Sequence, residues 1–99
     1  MSIYRDGTYT AIGSYDSPGG TERLTVEVTL QDGVITSTSA QPGASDSESA
    51  TFEAQFISGY KQLIIGKNIA DVSLSRVSGS SLTSQGFNDA LEQIKKQAQ

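Results

Sequence analysis

Residues 77–84 read Val-Ser-Gly-Ser-Ser-Leu-Thr-Ser, with five hydroxyls (Ser78, Ser80, Ser81, Thr83, Ser84) and Gly79 in eight positions. Such a run can donate several hydrogen bonds to an anion, and Gly79, lacking a Cβ, lets backbone approach closely. Phe87, Ala90, Leu91, Ile94 and Ala98 recur at helical spacing directly afterwards. The run therefore stands where a helix, expected to begin near Ser84, has N–H groups without intrahelical partners. Hydroxyls, a glycine and a helix N-terminus together suit a phosphate or a phosphoester. Capping alone would need one of these hydroxyls, and the chain supplies five.

The remaining chemistry is defined by what the composition lacks. The 99 residues include no Cys and no His. That excludes a disulfide framework, thiolate chemistry and Ser/His triads, and it removes the usual transition-metal ligands. Redox work would have to be carried by a bound cofactor. No close pair of acids adjoins a pocket motif, so an intrinsic hydrolase or transferase has little to build on.

The net charge of −4 argues against nucleic-acid binding. It is unevenly spread: eight acids up to Glu53 face only Arg5 and Arg23, whereas Lys61, Lys67, Arg76, Lys95 and Lys96 outnumber Asp71, Asp89 and Glu92 beyond it. The locally basic half also holds the hydroxyl run, which is compatible with an anionic small ligand or with a solvated surface. No apolar run is long enough to span a membrane and no export signal precedes Tyr4.

The elements that must position this run are legible in outline, and they imply a single domain over 1–99. Thr8 to Tyr15 reads as a strand, and Asp16-Ser17-Pro18-Gly19-Gly20 as a turn. Leu24, Val26, Val28 and Leu30 alternate with polar residues, Asp32-Gly33 signals a hairpin, and Val34 to Thr38 returns. A loop from Gln41 to Ser47 precedes a helix capped by Ser45, Ser47 or Ser49, with a stripe of Phe52, Phe56, Tyr60, Leu63 and Ile64 and a stop at Gly66. Ile69, Val72 and Leu74 suggest an extended segment. The expected fold is α+β, an antiparallel sheet from the N-terminal half packed by a central and a C-terminal helix. Phe52, Phe56, Tyr60 and Leu63 would lie on the sheet, and Phe87, Leu91 and Ile94 would join the same core.

These residues resemble the FMN-binding domain family, the small flavin-carrying domain of sodium-pumping quinone reductases, related electron-transport complexes and surface lipoproteins. Asp6-Gly7-Thr8-Tyr9 with Gly13 is similar to the family's first strand, and Val26, Val28, Asp32, Gly33, Val34 and Ile35 to its second strand, hairpin and third strand. Residues 77–84, with Phe87 and Ala90-Leu91, resemble its flavin-attachment signature: Asp, two variable residues, Ser or Thr, Gly, Ala, then Ser or Thr. Ser75 stands where that signature has its acid, Ser80 where it has Ala, and Ser81 where it usually has Thr.

The resemblance implies an electron carrier rather than a catalyst, with FMN as cofactor. In modified relatives a separate flavin transferase joins FMN to the last hydroxyl of the signature, which falls on Ser81. Ser78, Gly79, Ser80, Ser81, Leu82, Thr83 and Ser84 would surround the phosphate, and Tyr60, Phe56 or Leu82 would offer the ring a wall. Phe56 and Tyr60 equally suit the core stripe of the central helix, and Tyr9 and Tyr15 suit the sheet. Redox partner proteins and an extracytoplasmic, membrane-associated setting are further implications. The departures at Ser75 and Ser80 leave a second reading open: a surface or binding module that keeps the scaffold without flavin.

Overall fold

Alternation decides the N-terminal half. The computed structural model describes residues 4–17, 20–43, 47–74 and 81–99, with the side chains of 17, 47–49 and 81 also outside the description. Strands β1 (Gly7–Ser17), β2 (Gly20–Gln31) and β3 (Val34–Pro42) form an antiparallel meander in the order β1-β2-β3. In β2 the residues Leu24, Val26, Val28 and Leu30 are buried while Arg23, Glu27 and Gln31 are exposed, the period of two expected of a half-covered sheet. The register runs from Gly7 opposite Leu30 to Ser17 opposite Gly20, so Asp16, Ser17 and Gly20 of the expected turn belong to the strands, while Pro18 and Gly19 lie outside the described residues.

Asp32 (φ 53°) and Gly33 (φ 79°) both adopt positive φ, as a two-residue primed hairpin requires. The Asp32 N–H donates to Asp6 Oδ1 at 2.9 Å, tying this tip to the start of β1. A bulge at Thr29/Leu30 interrupts the β2–β3 pairing.

Helix α1 (Ser47–Gly59) is followed by a single turn, α2 (Lys61–Ile64), a 3-10 turn at Ile69–Asp71 and helix α3 (Ser81–Ala98). The fold is α+β, with helices on one face of the sheet. Phe87, Ala90, Leu91, Ile94 and Ala98 of α3 are all buried, as their spacing implied. Phe56, Tyr60 and Phe87 form an aromatic group at the centre, with Phe56 and Tyr60 stacked at 5.1 Å.

The central stripe departs from expectation. Phe52 is 42% and Leu63 39% exposed, so neither lies on the sheet. The chain breaks at Gly59–Tyr60 rather than running as one helix to Ile64, and the buried line is Glu53, Phe56 and Tyr60. Ile69 lies in a 3-10 turn capped by the Asn68 side chain, not in an extended segment.

Both long sides of the sheet are engaged. Beyond β3, Ile35 exchanges bonds with Lys67 O and Gly66 N, and Ile69 N–H donates to Gly33 O. Beyond β1 stands α3. The described ends of the chain meet there, the Arg5 N–H and guanidinium donating to the carbonyls of Ala98 (2.7 Å) and Gln99 (2.8 Å).

Candidate functional site

Helix α3 carries the end of the hydroxyl run, so its docking decides where that run is presented. Gly13 of β1 meets Gly86 of α3: a Cβ on Gly13 would collide with the Gly86 carbonyl and come within 2.9 Å of Ala90 N. A Cβ on Gly86 would sit 2.5 Å from Tyr15 Cδ1, so the Tyr15 ring lies flush against the helix backbone. The missing Cβ atoms permit a strand–helix approach that no side chain would allow.

Polar side chains of α3 then hold the edge of β1. Asp89 Oδ2 accepts from Ser14 N–H at 3.0 Å, Gln93 Nε2 donates to Ile12 O at 2.8 Å, and Gln97 Nε2 donates to Thr10 O at 3.1 Å. These three residues are spaced by four, one turn apart, and meet every second strand residue. Asn88, on the same helix, clamps Leu74: its Oδ1 accepts from Leu74 N–H (3.0 Å) and its Nδ2 donates to Leu74 O (2.6 Å). The last described residue before the hydroxyl run is thus fixed to the helix that follows it.

Beneath the first turn of α3 lies a buried polar group. The Tyr15 hydroxyl donates to Glu53 Oε2 at 2.5 Å, and Glu53 Oε1 accepts from Gly43 N–H at 2.9 Å. Glu53 and Glu22 are both buried, as are Thr83 and Ser84. Thr83 stands beside the Tyr15 phenol, yet its Oγ1 makes no hydrogen bond of proper geometry. Burial above all, then the bond to Glu53, push the phenol well above the ordinary tyrosine range; the Thr83 hydroxyl beside it pulls the other way, and the charges of Glu53 and Glu22 add smaller upward pushes.

The expected site residues divide accordingly. Ser78, Gly79 and Ser80 lie outside the described residues, as does Ser75. Ser81 is the first residue of α3, and Leu82, Thr83 and Ser84 belong to its first turn instead of preceding the helix. Leu82 is partly exposed. Tyr60 is a core residue: it is fully buried, stacked on Phe56, and its hydroxyl pairs with Thr38 Oγ1 at 3.1 Å. It offers no face to a ligand, which corrects its placement as a ring wall. Burial, opposed by the Thr38 bond, also raises its pKa.

Tyr15, Glu53, Asn88 and Gly86 were not singled out from the sequence as neighbours of the run. Only the period of four from Gln85 through Asp89 and Gln93 to Gln97 hinted at a polar face with a task. Among the described residues no group of three or more His, Cys, Asp or Glu could hold a metal ion, and no helix is long and apolar enough to cross a membrane. The chain matches no family model, no curated protein and no solved structure.

Proposed function

We propose that the chain is a small FMN carrier domain for electron transfer, with FMN joined through a phosphoester at Ser81. The observation that carries the reading is the entry of a run of five hydroxyls into the first turn of an 18-residue helix locked onto the sheet. A rigidly docked helix keeps its N-terminal N–H groups aimed at one point, and that point favours an anion. The hydroxyls of the run are donors that suit the phosphate end. For the ring, Leu82 is the remaining apolar candidate from the expected set.

When bound, FMN would supply one- and two-electron redox chemistry. The chain's own part is to tether the phosphate through Ser81, to orient it with the first turn of α3, and to keep that turn still. On this reading its partners are a flavin transferase and redox proteins, and its setting is extracytoplasmic.

Protein made with a flavin transferase should absorb in the flavin bands and gain the mass of FMN less water. Ser81→Ala should abolish that gain while leaving the fold intact. A colourless wild-type protein of unmodified mass that also fails to bind free FMN defeats the proposal.

One observation favours the second reading, a surface or binding module without flavin. Glu22 and Glu53 place two buried carboxylates close to Tyr15, under the same helix turn, and like charge there works against a phosphate. Ser75→Asp separates the two: flavinylation only in that variant would mean that the natural chain has left electron transfer.

A further inference from the structure

Residues 61–67, Lys-Gln-Leu-Ile-Ile-Gly-Lys, stand out from the core as a knuckle: every one of them is exposed except Ile64, which is buried. Leu63 and Ile65 are thereby two large aliphatic side chains left open to solvent within three positions. The backbone beneath them is firmly held. Ile65 N–H donates to Lys61 O at 3.0 Å and Lys67 N–H to Ile64 O at 3.1 Å. Gly66 takes the positive φ of 86° that ends the turn. Gly66 N–H (2.8 Å) and Lys67 O (2.9 Å) then pair with Ile35 of β3. The tip is pre-formed, so little ordering cost remains to be met on binding.

Single exposed apolar residues are ordinary on a folded surface. This pair differs in its company. Lys61 and Lys67 bracket it, both exposed, and among the described residues neither is paired with a carboxylate. From Ala54 to Ala70 the sequence holds no acid at all, although the chain carries a net charge of −4. Asp71, and Asp32 across the bridge between Val34 and Asn68, come beyond the tip. Two positive charges around two aliphatic side chains are complementary to a surface that is anionic outside and apolar beneath. A protein partner fits less well, because so short a segment falls short of the roughly 800 Å² per side of a stable protein interface.

We propose that the 61–67 tip is a membrane-docking site: Leu63 and Ile65 enter the headgroup–acyl boundary of an anionic bilayer while Lys61 and Lys67 meet lipid phosphates. The contact is shallow and reversible, as two side chains and two charges allow. It does not depend on flavin.

The test is co-flotation of the full chain with vesicles of equal parts phosphatidylcholine and phosphatidylglycerol. Phosphatidylcholine vesicles and soluble polyglutamate serve as comparisons. Wild type should bind the mixed vesicles and neither comparison. Each of Lys61→Gln and Lys67→Gln should weaken that binding about fivefold, the scale of one lysine near an anionic surface. Leu63→Ser with Ile65→Ser should weaken it about tenfold or more, through lost apolar burial. Ile12→Ser should match wild type: Ile12 is more exposed than either aliphatic of the tip, but it lies on β1 where Ala11 and Gly13 face the core and it faces away. Thermal midpoints show whether the serine variant folds. Leu63→Trp serves if it does not, since the chain has no Trp and the new indole should shift its emission to the blue with mixed vesicles only. No binding of mixed vesicles, equal binding of neutral ones, no blue shift, or an equal loss in Ile12→Ser overturns the proposal. Loss with the lysines alone, or equal binding of polyglutamate, overturns it in favour of a purely ionic contact with an acidic protein.

Discussion

Gly13 and Gly86 touch backbone to backbone: strand β1 and helix α3 meet where neither residue has a side chain, and a Cβ on Gly13 would overlap the Gly86 carbonyl. Because the obstruction is main chain, no rotamer change can relieve it. Gly13→Ala should lower unfolding stability by about 3 kcal/mol, at the upper end of overpacking effects. Ser58→Ala, at an exposed helical position, should stay within about 0.5 kcal/mol. Urea melts of both variants check this, and a neutral Gly13→Ala would show that α3 is less closely docked than described.

Asn88 supplies both halves of a backbone-like pairing to Leu74. Asn88→Ala should cost about 1–3 kcal/mol, since it leaves two partly buried main-chain groups unmet. Asn88→Asp keeps an acceptor for the Leu74 N–H but loses the donor to its carbonyl, so it should not restore wild-type stability. Hydrogen exchange at the Leu74 amide, faster in Asn88→Ala, localises the effect.

The two buried phenols predict an alkaline limit. Tyr15 and Tyr60 both have raised pKa values in the folded chain, so their neutral form is favoured there. Below the unfolded value, about 10, both states hold the proton and the contribution is fully present. As pH rises past it, the unfolded chain ionises first and stability is lost. Denaturant midpoints should therefore decline above about pH 10, and Tyr15→Phe should flatten that decline.

Gln93 and Gln97 donate to carbonyls on the outer side of β1, an edge strand. Replacing both by Ala should expose those acceptors, lower stability by about 1–3 kcal/mol and favour association through the strand edge. Sedimentation velocity of the double variant against wild type measures the second effect; a strictly monomeric variant at high concentration would contradict it.

The strands and α3 were readable because each has one dominant periodicity. Leu24, Val26, Val28 and Leu30 could serve only a half-buried strand, and Asp32-Gly33 only a tight reversal. The central helix misled because Phe52, Phe56, Tyr60, Leu63 and Ile64 continue one stripe on paper, whereas the buried line within α1 runs through Glu53 and Phe56 and leaves Phe52 outside it, and beyond the break at Gly59–Tyr60 Leu63 is exposed while Ile64 is buried. Glu53 was invisible for a different reason. An acid in an amphipathic pattern reads as solvent-facing, and only the tertiary contacts of Tyr15 and Gly43 make its burial tenable. Thr83 and Ser84 looked like turn residues by composition, but packing of α3 on β1 draws them into the helix.

The bonds from Arg5 to the carbonyls of Ala98 and Gln99 carry a topological consequence. With both described ends side by side, the fold could be spliced into a surface loop of a host protein without stretching either junction. A circularly permuted version, with the old ends joined by a short linker and new ones opened elsewhere, should retain the native architecture.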